Sequence, residues 1–533
     1  MWIAFLLACE TLKDPVAQDV EVVSLRVEPA TASLSTSPDA SASASFVARA
    51  TLDDGSEVVL DGAEWSLSNQ SVGTVEDGVV LSSTENGGVS YVTARFAGQE
   101  ARALLTVTWS DSRVESGPGP EAFAAAGTTQ PIDNLWAYPE DNVNLPRNTP
   151  SIQFQWNDAS AEGYRLRFRG PTTDLAIYTS STSWTAGEDL WQIIAATNAG
   201  GSLDLDLAAL SGGVVYEAPP RTVNVNRFDG RGSIYYWSVS AMGILEVPWG
   251  EPAREFLTVN QTGGRCVGCH DIASNGMLAV SLDGGDGPNT LRNVRDGTVV
   301  NGGDGAIVGN FKTFSPDGRF LLTAFQGALL LYDGATGAYL GEVPVDGQAT
   351  HVDWSPDGTQ VVAVVVDGAY TTDWVFTGGR VIVMDHVGDG SFTAPRTIYT
   401  PPAGMNAYYP TFSPDSAWIA FNLSSEDAYD DGSAELWAMD REGGHALSLH
   451  EANLTPGVTN SWPRWGPLPD DSVMWLSFSS RRNYGNITAG NPQIWVTAFD
   501  PDAALRGEDP SWPAFWLPGQ DPGQGNHIPV WAE

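Results

Sequence analysis

The chain has 533 residues, with 26 Lys plus Arg against 65 Asp plus Glu, a formal net charge of −39. A surface this acidic repels phosphate backbones and anionic headgroups, which excludes nucleic acid as a partner. A hydrophobic content of 42% suffices for packed cores and excludes a disordered acidic tail. The length predicts roughly two to four domains. The three cysteines, Cys9, Cys266 and Cys269, exclude a disulfide-dense scaffold. No apolar run reaches the ~18 residues of a membrane-spanning helix. Lys13 and Lys312 are the only lysines, so nearly all positive charge is Arg.

Residues 1–19 read as a signal and tether. Met1 to Ala8 is an apolar stretch too short to span a bilayer, and it lacks the preceding positive charge usual in an export signal. Leu6-Leu7-Ala8-Cys9 resembles the bacterial lipobox, in which the signal is cleaved before a cysteine that then carries lipid. The resemblance implies export, lipidation at Cys9 and tethering to a membrane surface, such as the outer membrane, without spanning it.

Residues 20–108 predict an all-β sandwich. Val23-Ser24-Leu25-Arg26-Val27 and Phe46-Val47-Ala48-Arg49-Ala50 alternate apolar and polar residues, and Asp53-Asp54-Gly55 marks a turn. Val27-Glu28-Pro29-Ala30, Leu52 to Ser56, Trp65-Ser66-Leu67-Ser68-Asn69 with Val72 to Val75, and Leu105-Thr106-Val107 resemble a group 2 bacterial Ig-like domain. Such domains act as spacers or adhesive modules. Residues 109–130, with their Gly-Pro dipeptides and Ala-rich stretch, read as a linker.

Residues 131–260 predict a second sandwich. Tyr164-Arg165-Leu166-Arg167-Phe168 and Phe256-Leu257-Thr258-Val259 alternate with period two. Ile234-Tyr235-Tyr236-Trp237-Ser238-Val239 resembles a strand of fibronectin type III domains, whereas 185–225 fits that pattern less well.

From residue 261 to 533 a short unit recurs: an aromatic or apolar anchor, a Ser-Pro-Asp-Gly-like turn, then an apolar strand. Phe314-Ser315-Pro316-Asp317-Gly318, Trp354-Ser355-Pro356-Asp357-Gly358 and Phe412-Ser413-Pro414-Asp415-Ser416 are the clearest copies. Pro presets φ and Gly accepts φ > 0, so each unit is a tight turn between strands. Anchors at Ile272, Phe314, Trp354, Phe412, Trp465 and Trp531 are spaced by 42, 40, 58, 53 and 66 residues, room for four strands each. The pattern resembles the WD40-like repeats of TolB-type β-propellers. The expected fold is therefore all-β, with N-terminal β-sandwich domains followed by a six-bladed β-propeller. The last anchor lies two residues from the end of the chain, so its blade needs strands from elsewhere. The stretch just before Cys266 is the best donor, in competition with the sandwich reading of 232–260.

Arg265-Cys266-Val267-Gly268-Cys269-His270 contains Cys-x-x-Cys-His, the attachment motif of c-type haem. Two thiols three positions apart reach the two vinyl groups of one porphyrin, and the adjacent His reaches the iron. Gly268 is expected to keep the loop free of side-chain bulk. A disulfide or redox pair and a zinc site are the alternatives, the last lacking a further Cys. Cys266 and Cys269 are thus the candidate haem anchors, and His270 the candidate iron ligand. In the repeat frame Cys269 matches His351 and His270 matches Val352, so the motif replaces the start of one blade's inner strand, where all blades converge on the propeller axis.

Candidates for a second iron ligand follow from the same frame: His351, Met405 and His527, with Met277 expected to point into its own blade. A Met ligand raises the reduction potential relative to His. Phe311, Tyr408, Tyr409 and Trp462 lie at or beside inner-strand starts, placed to line the pocket or to pack the core. Asp283-Gly284-Gly285-Asp286-Gly287 reads as a turn, since it lacks EF-hand spacing. The sequence leads to an exported electron carrier with one covalent haem c, a basic redox partner and no enzymatic role, unless an open iron position permits peroxidase-like chemistry. The alternative is an extracytoplasmic binding or scaffold protein in which haem is structural or absent.

Overall fold

The computed structural model describes residues 11–12, 21–301, 307–429, 431–467, 473–488 and 490–533. Cys9 and the lipobox lie outside the described residues. The chain forms two compact units, Met1–Trp136 with Trp156–Arg227, and Ala137–Gln155 with Phe228–Glu533. No described helix is long and apolar enough to cross a membrane.

The first unit begins as two sheets over one core. Val22–Glu28, Val47–Leu52 and Glu57–Leu60 form one sheet, while Thr31–Thr36, Glu64–Leu67, Gly88–Phe96 and Gln99–Val114 belong to the other. Period-two alternation drives this arrangement: Ala48, Ala50 and Leu52 turn inward to meet Ala103, Leu105 and Val107. The stretch expected to be a linker is instead structured. The Gln99–Val114 strand runs past residue 108, and Trp109–Val114 pairs in parallel with Thr173–Tyr178. The helix Pro120–Ala125 then brings the Phe123 ring to 5.3 Å from Tyr178. Ser110, Asp111 and Ser112 hid this strand, because its order comes from a partner sixty-odd residues away rather than from its own pattern. The poorly fitting middle of the second segment contains a helix, Glu188–Thr197. Its buried Leu190, Trp191, Ile194 and Ala195 follow helical spacing, and Glu188 and Asp189 suit its N-terminal dipole.

The second unit is a six-bladed propeller. Five blades are continuous in sequence, with inner strands Val267–Ile272, Phe311–Phe314, Gln348–Trp354, Asn406–Phe412 and Ser461–Trp465; four have four strands and the Gln348–Trp354 blade has five. The sixth has Asn526–Ala532 as its inner strand and Ser233–Ser238, Gly243–Pro248 and Arg254–Leu257 outside it. The domain boundary expected at 260 is therefore corrected: residues 228–257 close the propeller rather than finishing the second sandwich. Residues 137–155 also belong to this unit, where Trp516 N–H donates to the Tyr138 hydroxyl at 3.2 Å and Asn486 N–H to Gln155 Oε1 at 2.9 Å. Consecutive inner strands adjoin one another around the ring, and the last adjoins the first.

All six anchors lie at or next to the end of an inner strand. The Ser-Pro-Asp-Gly turns are self-contained. Ser315 Oγ donates to Asp317 Oδ1 at 2.6 Å, that oxygen accepts Arg319 N–H at 3.0 Å, and Gly318 N–H donates to Ser315 O at 2.8 Å. Residues just before the anchors tie neighbouring blades together. Asp271 accepts Phe314 N–H at 2.9 Å, Thr313 accepts Trp354 N–H at 3.1 Å, and Asp353 accepts Phe412 N–H at 2.7 Å.

Candidate functional site: a thiol-bearing pocket on the propeller axis

Inner strands carry β-bulges, and the bulges build the site. The ladder skips between Val267 and His270, Thr350 and Asp353, Tyr408 and Thr411, and Ser461 and Arg464. Three residues before each anchor stand Cys269, Phe311, His351, Tyr409, Trp462 and Ile528. Four of these adopt left-handed backbone: His351 (φ 50°), Tyr409 (49°), Trp462 (58°) and Ile528 (55°). Such a conformation is costly for bulky side chains, and it is stabilised here by the packing it achieves. Phe311 and His351 centroids are 4.2 Å apart, His351 and Tyr409 4.1 Å, and Tyr409 stacks on Trp462 at 3.9 Å. Cys269 packs against this axial cluster.

Above it lies a cavity of about 210 Å³. Cys266, Gly268 and Cys269 form one wall, Gly284 and Gly285 a second, and Trp237, Phe311, Trp374, Tyr429, Trp462 and Ile528 the rest. Trp374 comes from a hairpin, Tyr370–Phe376, inserted in the repeat that begins with the Gln348–Trp354 strand. Asp373 pins that hairpin, accepting from Asn310 Nδ2 at 2.6 Å, Gln326 N–H at 2.7 Å, Gly327 N–H at 3.0 Å and the Tyr370 hydroxyl at 2.6 Å. Gly285 is required by the approach, since a Cβ there would stand 2.9 Å from the Trp374 ring. Trp374 and Tyr429 were not singled out from the sequence. Their signal was the excess length of the 58- and 53-residue intervals, which house the insertions.

Both thiols are free and partly buried. Burial pushes the Cys266 thiol up, with Asp283 adding to the effect, and burial pushes Cys269 up although Lys312 opposes it. A Cβ on Gly268 would meet nothing closer than 3.8 Å, so crowding does not require glycine there, contrary to the sequence expectation. His270 is 5% exposed, with the backbone of Tyr235 and Gly268 within its reach. Burial pushes its pKa down to about 3, which keeps the imidazole neutral. The structure brings the two thiols onto one pocket. His270 pairs with Val280 in the ladder and is not among the residues that line the cavity.

The remaining candidates divide. His351 sits in the axial cluster, 2% exposed, with Nδ1 accepting Tyr409 N–H at 3.2 Å, and burial drives its pKa well down. His527 packs edge-on to Trp462 at 5.5 Å. Met405 packs against a buried cluster that joins two blades and is not among the residues lining the cavity, and Met277 packs against a cluster shared by its own blade and the next rather than by its own blade alone. Asp283 pairs with Arg265 at 2.8 Å, and Asp286 accepts Asn310 Nδ2 at 3.0 Å, as expected of a braced turn.

Cys266 and Cys269 supply the thiol pair that a covalent haem needs, but His270, which would bind its iron, is not on the pocket they line. The two thiols share one aromatic-walled pocket. Among the described residues, no three His, Cys, Asp or Glu side chains converge on a metal-sized site.

No family model matches the chain, and no curated protein does. Among solved structures, a protein assigned as TolB from Agrobacterium tumefaciens is 16% identical, covering 54% of this chain and 89% of its own, with a TM-score of 0.35. TolB from Acinetobacter baumannii is 15% identical, with 62% and 79% covered and a TM-score of 0.40. Hydrazine synthase of Kuenenia stuttgartiensis is 18% identical, with 44% and 62% covered and a TM-score of 0.31. At these values the likenesses say nothing about what this chain does.

Proposed function

We propose that this protein is an exported electron carrier that holds one haem c at the axial end of its propeller. The observation that carries the reading is the pair of thiols, Cys266 and Cys269, on one aromatic-walled pocket, followed directly in sequence by a buried, neutral imidazole. Cys266 and Cys269 would anchor the porphyrin and His270 would bind its iron. The group would supply one-electron chemistry, iron alternating between ferrous and ferric. The chain's own part is to exclude water: Trp237, Phe311, Trp374 and Trp462 wall the site, and Asp373 holds the Trp374 hairpin over it. His351 is the candidate second ligand whose place in the axial cluster suits that role better than the inter-blade site of Met405.

The acidic surface suits a basic redox partner, with association that weakens as salt rises. Export and attachment at Cys9 to a membrane surface, with the sandwiches as Ig-like and fibronectin-like spacers, complete the reading. The alternative is a binding or scaffold protein without functional haem. One observation favours it: His270 does not line the cavity that the thiols line. The optical spectrum of protein matured in a haem-attaching host separates the two. A reduced c-type spectrum, lost in Cys266→Ala/Cys269→Ala, supports the carrier. Colourless protein from the same host leaves the scaffold.

A further inference from the structure

The residues just before the six anchors, Asp271, Thr313, Asp353, Thr411, Arg464 and Val530, ring the propeller axis. Asp271, Thr313 and Asp353 each reach sideways to a backbone N–H of a neighbouring inner strand. Arg464 breaks this pattern, because a guanidinium cannot accept. Among the described residues it makes no ion pair, and its hydrogen bond is a long donation of 3.4 Å to the adjacent Pro463 O. Arg464 nonetheless acts electrostatically on Asp271 and Asp353, and Asp353 acts on Asp271. The three stand on the first, third and fifth of the continuous blades, alternate places round the ring. Groups that act on one another from those places meet on the axis. All three keep accessible surface, whereas Thr313, Thr411 and Val530 are 4%, 3% and 6% exposed. Solvent therefore reaches the axis between two carboxylates and a guanidinium. The aromatic cluster, two residues earlier on each strand, covers this space on the thiol side.

We propose that the ring is a binding site for a small zwitterion of the free amino-acid class: Arg464 takes its carboxylate, and Asp271 and Asp353 take its ammonium. The site is independent of haem. A guanidinium set inside a protein without a carboxylate costs several kcal/mol, and a planar two-oxygen anion matches its fork. A bare anion is disfavoured by the two carboxylates beside Arg464 and by a net charge of −39. A bare cation is disfavoured by Arg464 itself. A ligand carrying both charges meets each with its opposite and leaves the net charge of the axis unchanged. Asp271 and Asp353 each commit Oδ2 to a backbone N–H, which fixes the carboxylates and leaves a second oxygen on each.

The test is calorimetric titration of the intact protein with glycine and alanine, and with acetate and methylammonium as the separated halves. Both amino acids should bind, at least about tenfold tighter than either half. Arg464→Gln should weaken glycine binding on the order of a hundredfold without weakening methylammonium. Asp353→Asn keeps the acceptor for Phe412 N–H and loses the charge, so it carries the test if Arg464→Gln does not fold. It should weaken glycine on the order of tenfold, while acetate binding holds or tightens. No heat from either amino acid overturns the proposal. So does acetate binding as tight as glycine, which marks a plain anion site, or wild-type affinity in Arg464→Gln. Whether the protein carries haem decides none of these outcomes, so the failure of either reading leaves the other standing.

Discussion

Trp531→Ala tests the closure of the propeller. Trp531 is buried on the closing strand, its ring stacked on Trp249 with centroids 5.3 Å apart and planes 4° apart. Its Nε1–H donates to Arg231 O at 2.8 Å. Truncating a buried Trp costs about 3–5 kcal/mol, and orphaning the Arg231 carbonyl adds about 1 kcal/mol. The sum, about 4–6 kcal/mol, is a large part of the ~5–15 kcal/mol that holds a typical domain folded. The loss falls on the one blade whose strands come from both ends of the unit, so that blade should open first. Native-state hydrogen exchange reads this directly. Amides of Ser233–Ser238 and Asn526–Ala532, which pair across the closure, should lose about a thousandfold in protection. Amides of Gln360–Val366, in a blade continuous in sequence, should lose less, provided that the ring opens locally. A cost below about 1 kcal/mol with unchanged exchange in Ser233–Ser238 would refute the closure as the energetic joint of the fold.

Three further outcomes follow from the same geometry. Asp271 is pushed up to about 7 by burial from an ordinary 3.8, so its contribution to stability is full below pH 4 and lost as pH rises through 7. Asp271→Asn should remove that loss, gaining up to about 4 kcal/mol over wild type at pH 8 relative to pH 4 at about 1.36 kcal/mol per tenfold change in proton affinity, as measured by denaturant unfolding; equal pH profiles contradict it. His351, whose pKa burial depresses, contributes in the opposite sense: its contribution is full above pH 6.5 and lost on acidification, so His351→Leu should flatten the acid limb of the stability profile. Gly285→Ala drives a Cβ against Trp374 and should lift the Tyr370–Phe376 hairpin, speeding alkylation of Cys269 in haem-free protein on the order of tenfold; an unchanged rate means that the hairpin does not cover the thiol.

The blades were legible because their signal is local. Ser315, Asp317, Gly318 and Arg319 complete their hydrogen bonds within five residues, so the turn is written where it forms, and its spacing counts the blades. Closure was half-legible. Ile234 to Val239 alternates as a sandwich strand or a blade strand would, and only pairing with Asn526–Ala532 decides between them. The Trp109–Val114 extension was illegible for the same reason, its order being supplied by Thr173–Tyr178. At the site, the thiols and the frame that puts Cys269 level with His351 were plain in the sequence. The direction of His270 was not, because it depends on a bulge, and a bulge is a relation between two strands. Lys312 and Trp374 likewise act on the site from other repeats.

The central claim meets its most direct test in the intact mass and thiol count of mature protein, read together with its reduced spectrum. One porphyrin per chain, retained after denaturation with neither Cys266 nor Cys269 open to alkylation, is the predicted result. Two alkylatable thiols, or a disulfide joining them in protein from a host that attaches haem, would contradict it.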